Sequence, residues 1–170
     1  MNAYIIVEGS ETEMSVIPIW LSILAPQIQR IEDPHAVCNN NYYIFCGNGI
    51  PSIYKHTVNA IADVNSINSV SEHKYDYILL CLDTEEGTRA DILSTLQQYM
   101  EEAGSVLDDV KLLVFDQKVC MESWFLGNRK VFKSNPQNPD LIRYVHFYNV
   151  KQDDPEDMPN IDDERYATKA

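Results

Sequence analysis

The sequence predicts an α/β fold in which a mostly parallel central sheet of four to five strands carries helices on both faces. Short apolar runs of strand length alternate along the chain with longer segments whose apolar residues recur at helical spacing. The longest apolar run, residues 75–82, is continuous rather than alternating, as expected for a central strand that is covered on both faces. The 170 residues, 45% of them hydrophobic, suffice for one such sandwich around one core.

The chain opens with a predicted strand at residues 3–7, a short and partly β-branched apolar run. A helix follows, and either Ser10 or Thr12 can cap it. Glu11 and Glu13 fall in its first turn, where the helix dipole favours acidic side chains. We therefore interpret both glutamates as solvated acids of the first turn.

The remaining elements alternate in the same way. Further strands are predicted at residues 42–46, 75–82, 111–115 and 145–150. Further helices are predicted at residues 51–68, 90–103 and 122–126. Residues 133–140 contain two prolines and two asparagines and are expected to form a loop.

One domain is expected over residues 1–150, followed at residues 151–170 by an acidic loop or flexible tail. This segment is rich in Asp and Glu and contains few apolar residues, so it cannot bury much surface. The last residues carry no helix stop signal, and continuation into a longer protein is one alternative.

The chain is strongly acidic, with 26 Asp and Glu against 13 Lys and Arg and a formal net charge of −13. Such a surface repels nucleic acid on average, so a nucleic-acid function needs divalent cations or a partner that supplies positive charge. No apolar run approaches the roughly 20 residues of a membrane span, and no basic segment of a signal peptide is present. A cytoplasmic location without membrane contact is therefore expected.

Acidic side chains follow two of the predicted strands at the point where each strand ends. Glu8 comes directly after the first strand, and Asp83 and Glu85 come directly after the run at residues 75–82. Ligand sites in open α/β sheets lie beyond the carboxyl ends of the strands, so these carboxylates are expected to converge if the two strands are neighbours. Clustered carboxylates repel one another, and a hard cation such as Mg²⁺ or Mn²⁺ removes that repulsion. The simpler alternative is that each acid is a solvated cap of the following helix.

Two segments resemble the motifs of Toprim domains. Residues 7–13, Val-Glu-Gly-Ser-Glu-Thr-Glu, resemble the family's "VEG-x-(S/T)E" opening, and residues 80–87, Leu-Cys-Leu-Asp-Thr-Glu-Glu-Gly, resemble its "hhhDxDxxG" strand end. Residues 115–126 also resemble the "E-x-W-hh" segment of small Toprim-like defence proteins. The resemblance covers roughly residues 3–115 and is to small stand-alone Toprim proteins, related to overcoming-lysogenization-defect (OLD) nucleases and other phage-defence proteins.

The resemblance implies a Toprim-like Rossmannoid sandwich with a Mg²⁺ (or Mn²⁺) site and metal-dependent cleavage of DNA or RNA, as the toxic effector of an anti-phage defence system. It implies that Glu8 is the general acid/base or a metal ligand and that Asp83 is the chief metal ligand. Glu85 occupies the position of the family's second aspartate, which is a departure, because glutamate is one methylene longer. Glu86 is an alternative ligand there.

Three further residues are candidates for accessory roles. Arg89 lies two residues past Gly87 and is expected either to contact a phosphate or to pair with Glu86. Lys118 follows the fourth strand and is expected at the same edge of the sheet. Glu122 is either a fourth carboxylate of the site or an ordinary acid at the start of a helix.

A second hypothesis belongs to another functional class. The chain can instead be a catalytically degenerate Toprim module that binds and regulates a protein partner such as an ATPase or a sensor. The net charge of −13 suits a basic partner better than unaided nucleic-acid binding. An assembly of identical copies is also open at this stage.

Overall fold

The central feature of the computed structural model is a five-stranded parallel sheet with the strand order β2-β3-β1-β4-β5. The structure describes residues 1–84, 87–118, 120–128 and 135–159. Helices connect and flank the long strands, so the predicted α/β class is confirmed. The strands are β1 Ala3–Val7, β2 Gln29–Arg30, β3 Asn41–Cys46, β4 Tyr77–Asp83 and β5 Lys111–Gln117. The α-helices are α1 Thr12–Leu24, α2 Ser52–Val70, α3 Arg89–Glu102, α4 Glu122–Leu126 and α5 Pro139–Phe147.

The register of the sheet brings the carboxyl ends of its central strands to one edge. Val7, the last residue of β1, lies opposite Cys46 of β3 on one side and opposite Cys81 of β4 on the other. All three strands run in the same direction, so the loops that follow them leave the sheet at the same end.

The larger core lies on the sheet face that α2 and α3 cover. Alternate residues of the central strands point to it, among them Ile6, Ile78 and Leu80, each of which is fully buried. Two connections cross the sheet in one direction: β3 to β4 through α2, and β4 to β5 through α3. The connection from β1 to β2 through α1 crosses it in the opposite direction. Because crossovers between parallel strands are right-handed, α1 lies on the other face.

The chain divides into two compact units. The first comprises Met1–Leu82 and Gly87–Asp116 and holds the sheet core described above. The second comprises Asp83–Glu86 and Gln117–Ala170. A small cluster in the second unit contains the buried residues Cys120, Leu126 and Val150, with Tyr148 and Met158 packed against it.

The prediction of a strand at residues 145–150 is wrong. Pro139–Phe147 form the helix α5 instead, and Tyr148 is its C-cap. The side chain of Asn138 accepts hydrogen bonds from the backbone N–H groups of Asp140 and Leu141, and Pro139 occupies the first helical position. This N-terminal signal outweighs the strand preference of the β-branched and aromatic residues that follow.

The predicted loop at residues 133–140 therefore ends at Asn138, and residues 133 and 134 lie outside the described part of the chain. The fifth strand of the sheet is the two-residue β2, which pairs with β3. Among the described residues, no helix combines the length and the apolar character that crossing a bilayer would require.

Candidate functional site

The connections that leave β1 and β4 run to opposite sides of the sheet. From β1 the chain passes through α1 towards β2 and β3, whereas from β4 it passes through α3 to β5 on the opposite side. Neighbouring parallel strands whose connections diverge in this way leave a crevice beyond their carboxyl ends, where ligands of open α/β sheets bind. Glu8 directly follows β1, and Asp83 is the last residue of β4. These two strands are neighbours in the sheet.

Glu8 is half-buried in a bend after β1, and its backbone is fixed by the loop that follows β3. Its carbonyl oxygen accepts a hydrogen bond from the N–H of Gly49 (3.1 Å) and another from the thiol of Cys46 (3.2 Å). The side chain lies close enough to Tyr54 to affect it. Burial raises the pKa of Tyr54, and the negative charge of Glu8 raises it further. Glu8 therefore has a well-defined backbone position and a buried phenol nearby.

The loop between β3 and α2 needs backbone conformations that few residues adopt. Asn48 has a φ of 58° and Gly49 a φ of 74°, both in the left-handed region. The N–H of Gly47 donates to the carbonyl of Val7 (2.7 Å), which ties the start of the loop to the end of β1. Asn48 thus lies at the strand-end edge, next to Gly49, whose N–H donates to the carbonyl of Glu8.

Asp83 begins the second compact unit, whereas Glu8 belongs to the first. The Oδ1 atom of Asp83 is buried from solvent. The next residue, Thr84, donates its N–H to the carbonyl of Gln117 (2.8 Å), which anchors the end of β4 within that unit. Glu85 and Glu86, the other predicted acids of this segment, lie outside the described residues.

The sequence predicts that Glu13 is a solvated acid, and this prediction is wrong. Its residue is only 8% exposed. A Cβ atom added at Gly9 would lie 2.4 Å from Glu13 Oε2, so the carboxylate rests against the backbone just after Glu8. The thiol of Cys81 is another neighbour of Glu13. Burial raises the pKa of Cys81 to about 12, and the negative charge of Glu13 contributes to this increase.

The accessory bases are held in internal ion pairs. The guanidinium of Arg89 donates to the carboxylate of Asp116 and to the carbonyl oxygen of Val114 (2.9 Å), all within the first unit. Lys118 donates to the carboxylate of Asp157 within the second unit, and this hydrogen bond raises the pKa of Lys118. A pairing of Arg89 with Glu86 concerns a residue outside the described part of the chain.

Glu122 is the first residue of α4 and is half-buried. Burial raises the pKa of the neighbouring Cys120 thiol, and Glu122 contributes to the same effect. Its position is that of an ordinary acid at the start of a helix, which is one of the two alternatives given for Glu122 from the sequence. Within residues 151–159, Glu156 accepts hydrogen bonds from the backbone N–H of Lys118 (3.3 Å) and from the indole N–H of Trp124.

The residues present are compatible with a magnesium or manganese ion. Among the described residues, no three His, Cys, Asp or Glu side chains are placed so that they could together hold a metal ion. Mg²⁺ commonly uses only one or two carboxylates and keeps several water molecules. A single strand-end carboxylate can therefore hold such an ion.

Comparison of the chain with models of protein families, with curated proteins and with solved structures gave no match.

Proposed function

We propose that this protein is a Mg²⁺- or Mn²⁺-dependent nuclease of the Toprim type that cleaves phosphodiester bonds in DNA or RNA, as the toxic effector of an anti-phage system. One observation carries the proposal: the connections that leave the neighbouring strands β1 and β4 run to opposite sides of the sheet, and each strand ends at an acidic residue. Glu8 follows β1, and Asp83 is the last residue of β4. Folds of this class bind ligands beyond the carboxyl ends of such strands, which supports the proposal.

The roles of the residues follow from their chemistry. Asp83 and Glu85 would hold the cation, with Glu86 as the alternative to Glu85, and the bound ion would neutralise a phosphate and stabilise the charge that develops on it. Glu8 would accept a proton from the attacking water or return one to the leaving oxygen. Its fixed backbone, held by Gly49 and Cys46, supports such a positioned proton carrier.

The proposal is tested by nuclease assays with single- and double-stranded DNA and RNA in the presence of MgCl₂ or MnCl₂. We expect Glu8→Gln and Asp83→Asn each to lower the cleavage rate by about 10²- to 10⁴-fold, the usual contribution of a positioned acid/base or metal ligand. Asp109→Asn is a matched control, because this exposed acid precedes β5 at the opposite edge of the sheet. Equal rates in all four proteins would disprove the assigned roles.

A specific observation favours a second candidate, a degenerate Toprim module that regulates a partner protein. Arg89 and Lys118, the two bases among the candidate accessory residues, both pair with internal carboxylates. With a net charge of −13, the surface then suits a basic protein partner such as an ATPase or sensor. Cation binding without any cleavage of DNA or RNA would favour this candidate over the nuclease.

A further inference from the structure

One flank of α1 carries large apolar side chains at the surface of the protein. Val16, Ile19, Trp20 and Ile23 follow the i, i+3, i+4, i+7 spacing of a single helix face. Ile19 is 59% exposed and Ile23 is 69% exposed, and residues 14–24 contain no charged residue. The solvent-facing side of a helix is usually polar, so an apolar flank of this kind is expected to be covered by another surface.

The strands β4 and β5 also present apolar side chains to solvent on the α1 face of the sheet. Leu113 and Phe115 point to this face, because Leu112 and Val114, their neighbours along β5, pack into the core on the opposite face. Leu113 is 40% exposed and Phe115 is 47% exposed. Leu79 of β4 points the same way and is half-buried. Sandwiches of this class cover both faces of the sheet with helices, so these strands are expected to lie under another helix.

The apolar flank of α1 and the exposed strands form the wall and the floor of one groove. The helix α1 leaves β1 in the direction of β3 and runs antiparallel to the strands. Because both the crossover and the helix are right-handed, the flank that carries Ile19 and Ile23 faces β4. We define the α1–β5 groove by its wall, Val16, Ile19, Trp20 and Ile23, and its floor, Leu79, Leu113 and Phe115. All of these residues belong to the first compact unit.

We propose that two copies of this chain associate through the α1–β5 groove, with α1 of each copy lying in the groove of the other. A two-fold interface joins the same patch of both subunits, so the patch must be complementary to itself. The groove meets this condition, because its wall is an apolar helix and its floor is the kind of surface that an apolar helix covers. The inference does not depend on the proposed chemistry, since the groove contains none of the strand-end acids.

The charge of the chain favours a second copy over a basic partner at this position. The net charge is −13, yet the wall and the floor of the groove contain no charged residue. The carboxylates that would attract a basic protein therefore lie elsewhere. Two copies repel each other through their acidic surfaces, and an uncharged groove is where they can approach most closely.

The size of the groove suits the centre of a dimer interface. The helix α1 has 13 residues and is therefore about 20 Å long. A helix about 10 Å in diameter beside two strands about 4.8 Å apart is about 20 Å wide, which gives an apolar area of about 400 Å². Specific interfaces bury about 800 Å² on each partner and surround an apolar centre with a polar rim, so the groove supplies the centre.

Sedimentation velocity of the full chain tests the proposal. We expect the wild type to form a dimer with a micromolar or lower Kd, the range that interfaces of this size give. Ile19→Glu and Phe115→Glu should each raise the Kd at least about a hundredfold, because each would bury an unpaired carboxylate between the copies. Leu93→Glu is the matched control: Leu93 is 44% exposed on α3, at the opposite face of the sheet, so the Kd should stay that of the wild type. Circular dichroism checks that each variant is folded.

Several results would overturn the proposal. A wild type that stays monomeric at about 200 µM would do so and would leave the groove to a helix of another protein. A Kd unchanged by Ile19→Glu and Phe115→Glu, or raised as much by Leu93→Glu, would place the contact elsewhere. Salt gives a second readout: the affinity between copies should rise from about 50 to 500 mM NaCl, because salt screens the repulsion between two acidic chains. An affinity that falls with salt would mean that opposite charges make the contact, contrary to the proposal.

A measurement on the wild type alone keeps the test decisive if a variant fails to fold. Amide hydrogen exchange is compared at about 1 µM and about 200 µM, concentrations that should lie on either side of the dimer Kd. Exchange in α1 and β5 should slow at the higher concentration, because the second copy covers both elements, whereas exchange in α3 should not change. Equal exchange in α1 and β5 at the two concentrations would overturn the proposal.

Discussion

Replacing Gly47 with alanine would place a methyl group in space that Ile53 already occupies. The added Cβ would lie 2.6 Å from Ile53 Cγ1, 2.9 Å from its Cβ and 3.0 Å from its Cα. A change of side-chain rotamer cannot relieve the clash, because one of these atoms belongs to the backbone of α2 and Ile53 is fully buried. The first turn of α2 or the loop at the end of β3 must therefore shift.

Overpacking of this kind in a core typically costs about 1–3 kcal/mol. Part of the cost arises from the hydrogen bond between the Gly47 N–H and the Val7 carbonyl (2.7 Å), which the shift would lengthen. For a chain of this length, about 2 kcal/mol corresponds to a fall in Tm of roughly 4–8 °C. Because the same loop fixes the backbone of Glu8 through Gly49, nuclease activity should fall as well, if the proposed function is right.

The assay is thermal and urea unfolding of the full chain, monitored by circular dichroism. Ile53→Ala alone should cost about 2–5 kcal/mol, as for other large-to-small changes in a core. In the Ile53→Ala background, Gly47→Ala should cost about 1 kcal/mol less than in the wild type, because the Cγ1 contact is gone. Additivity of the two changes within about 0.5 kcal/mol would show that they do not interact and would refute the steric argument. A wild-type Tm for Gly47→Ala would refute it as well.

Three further outcomes are expected. Cys81 should stay unmodified by iodoacetamide at pH 8 in the native protein, since its pKa of about 12 keeps the buried thiol protonated, whereas the exposed Cys38 should react; peptide mass spectrometry distinguishes the two. Asn138→Ala should destabilise α5 by about 1 kcal/mol through loss of its cap, measured as faster amide exchange in that helix. The hydroxyl and the backbone N–H of Thr88 hold the pKa of Asp91 below its usual range. The stabilisation from this depressed pKa is present above the unfolded value near 3.9 and is lost as pH falls through the folded value, so Thr88→Ala should flatten the acid limb of stability measured by urea midpoints.

The sequence predicted the strands and helices of the sheet region because local and tertiary preferences agree there. One face of the continuous apolar run that forms β4 is fully buried in the structure, and the other face is half-buried except for the buried Cys81. The helix α4 has the predicted bounds of Glu122–Leu126. At α5 the local strand preference of the side chains predicted the wrong element. A helix forms there instead, because the Asn138 cap and Pro139 at the first helical position outweigh that preference. The two-residue β2 carries too short a pattern to be detected from sequence.

The candidate site was only partly predictable, for a physical reason. The strand-end positions of Glu8 and Asp83 follow from apolar runs that stop at acidic residues, which is a local signal. The burial of Glu13 is a tertiary property, because it depends on the missing side chain of Gly9 and on β4 lying beside α1. One local signal could have indicated it: a glycine four residues before the glutamate leaves a gap on the same side of the chain.

Because of the charge distribution, the two candidate functions predict different effects of Mg²⁺ on binding. A phosphate backbone meets a protein whose net charge is −13 and whose Arg89 and Lys118 already pair with internal carboxylates. For a nuclease, the cation must then serve the binding of substrate as well as the chemistry, so the affinity for nucleic acid should rise with Mg²⁺ before the usual screening lowers it. For a module that binds a basic protein, Mg²⁺ screens the attraction from the first addition and affinity can only fall. The sign of the initial Mg²⁺ dependence therefore separates the two functions even where no cleavage is detected.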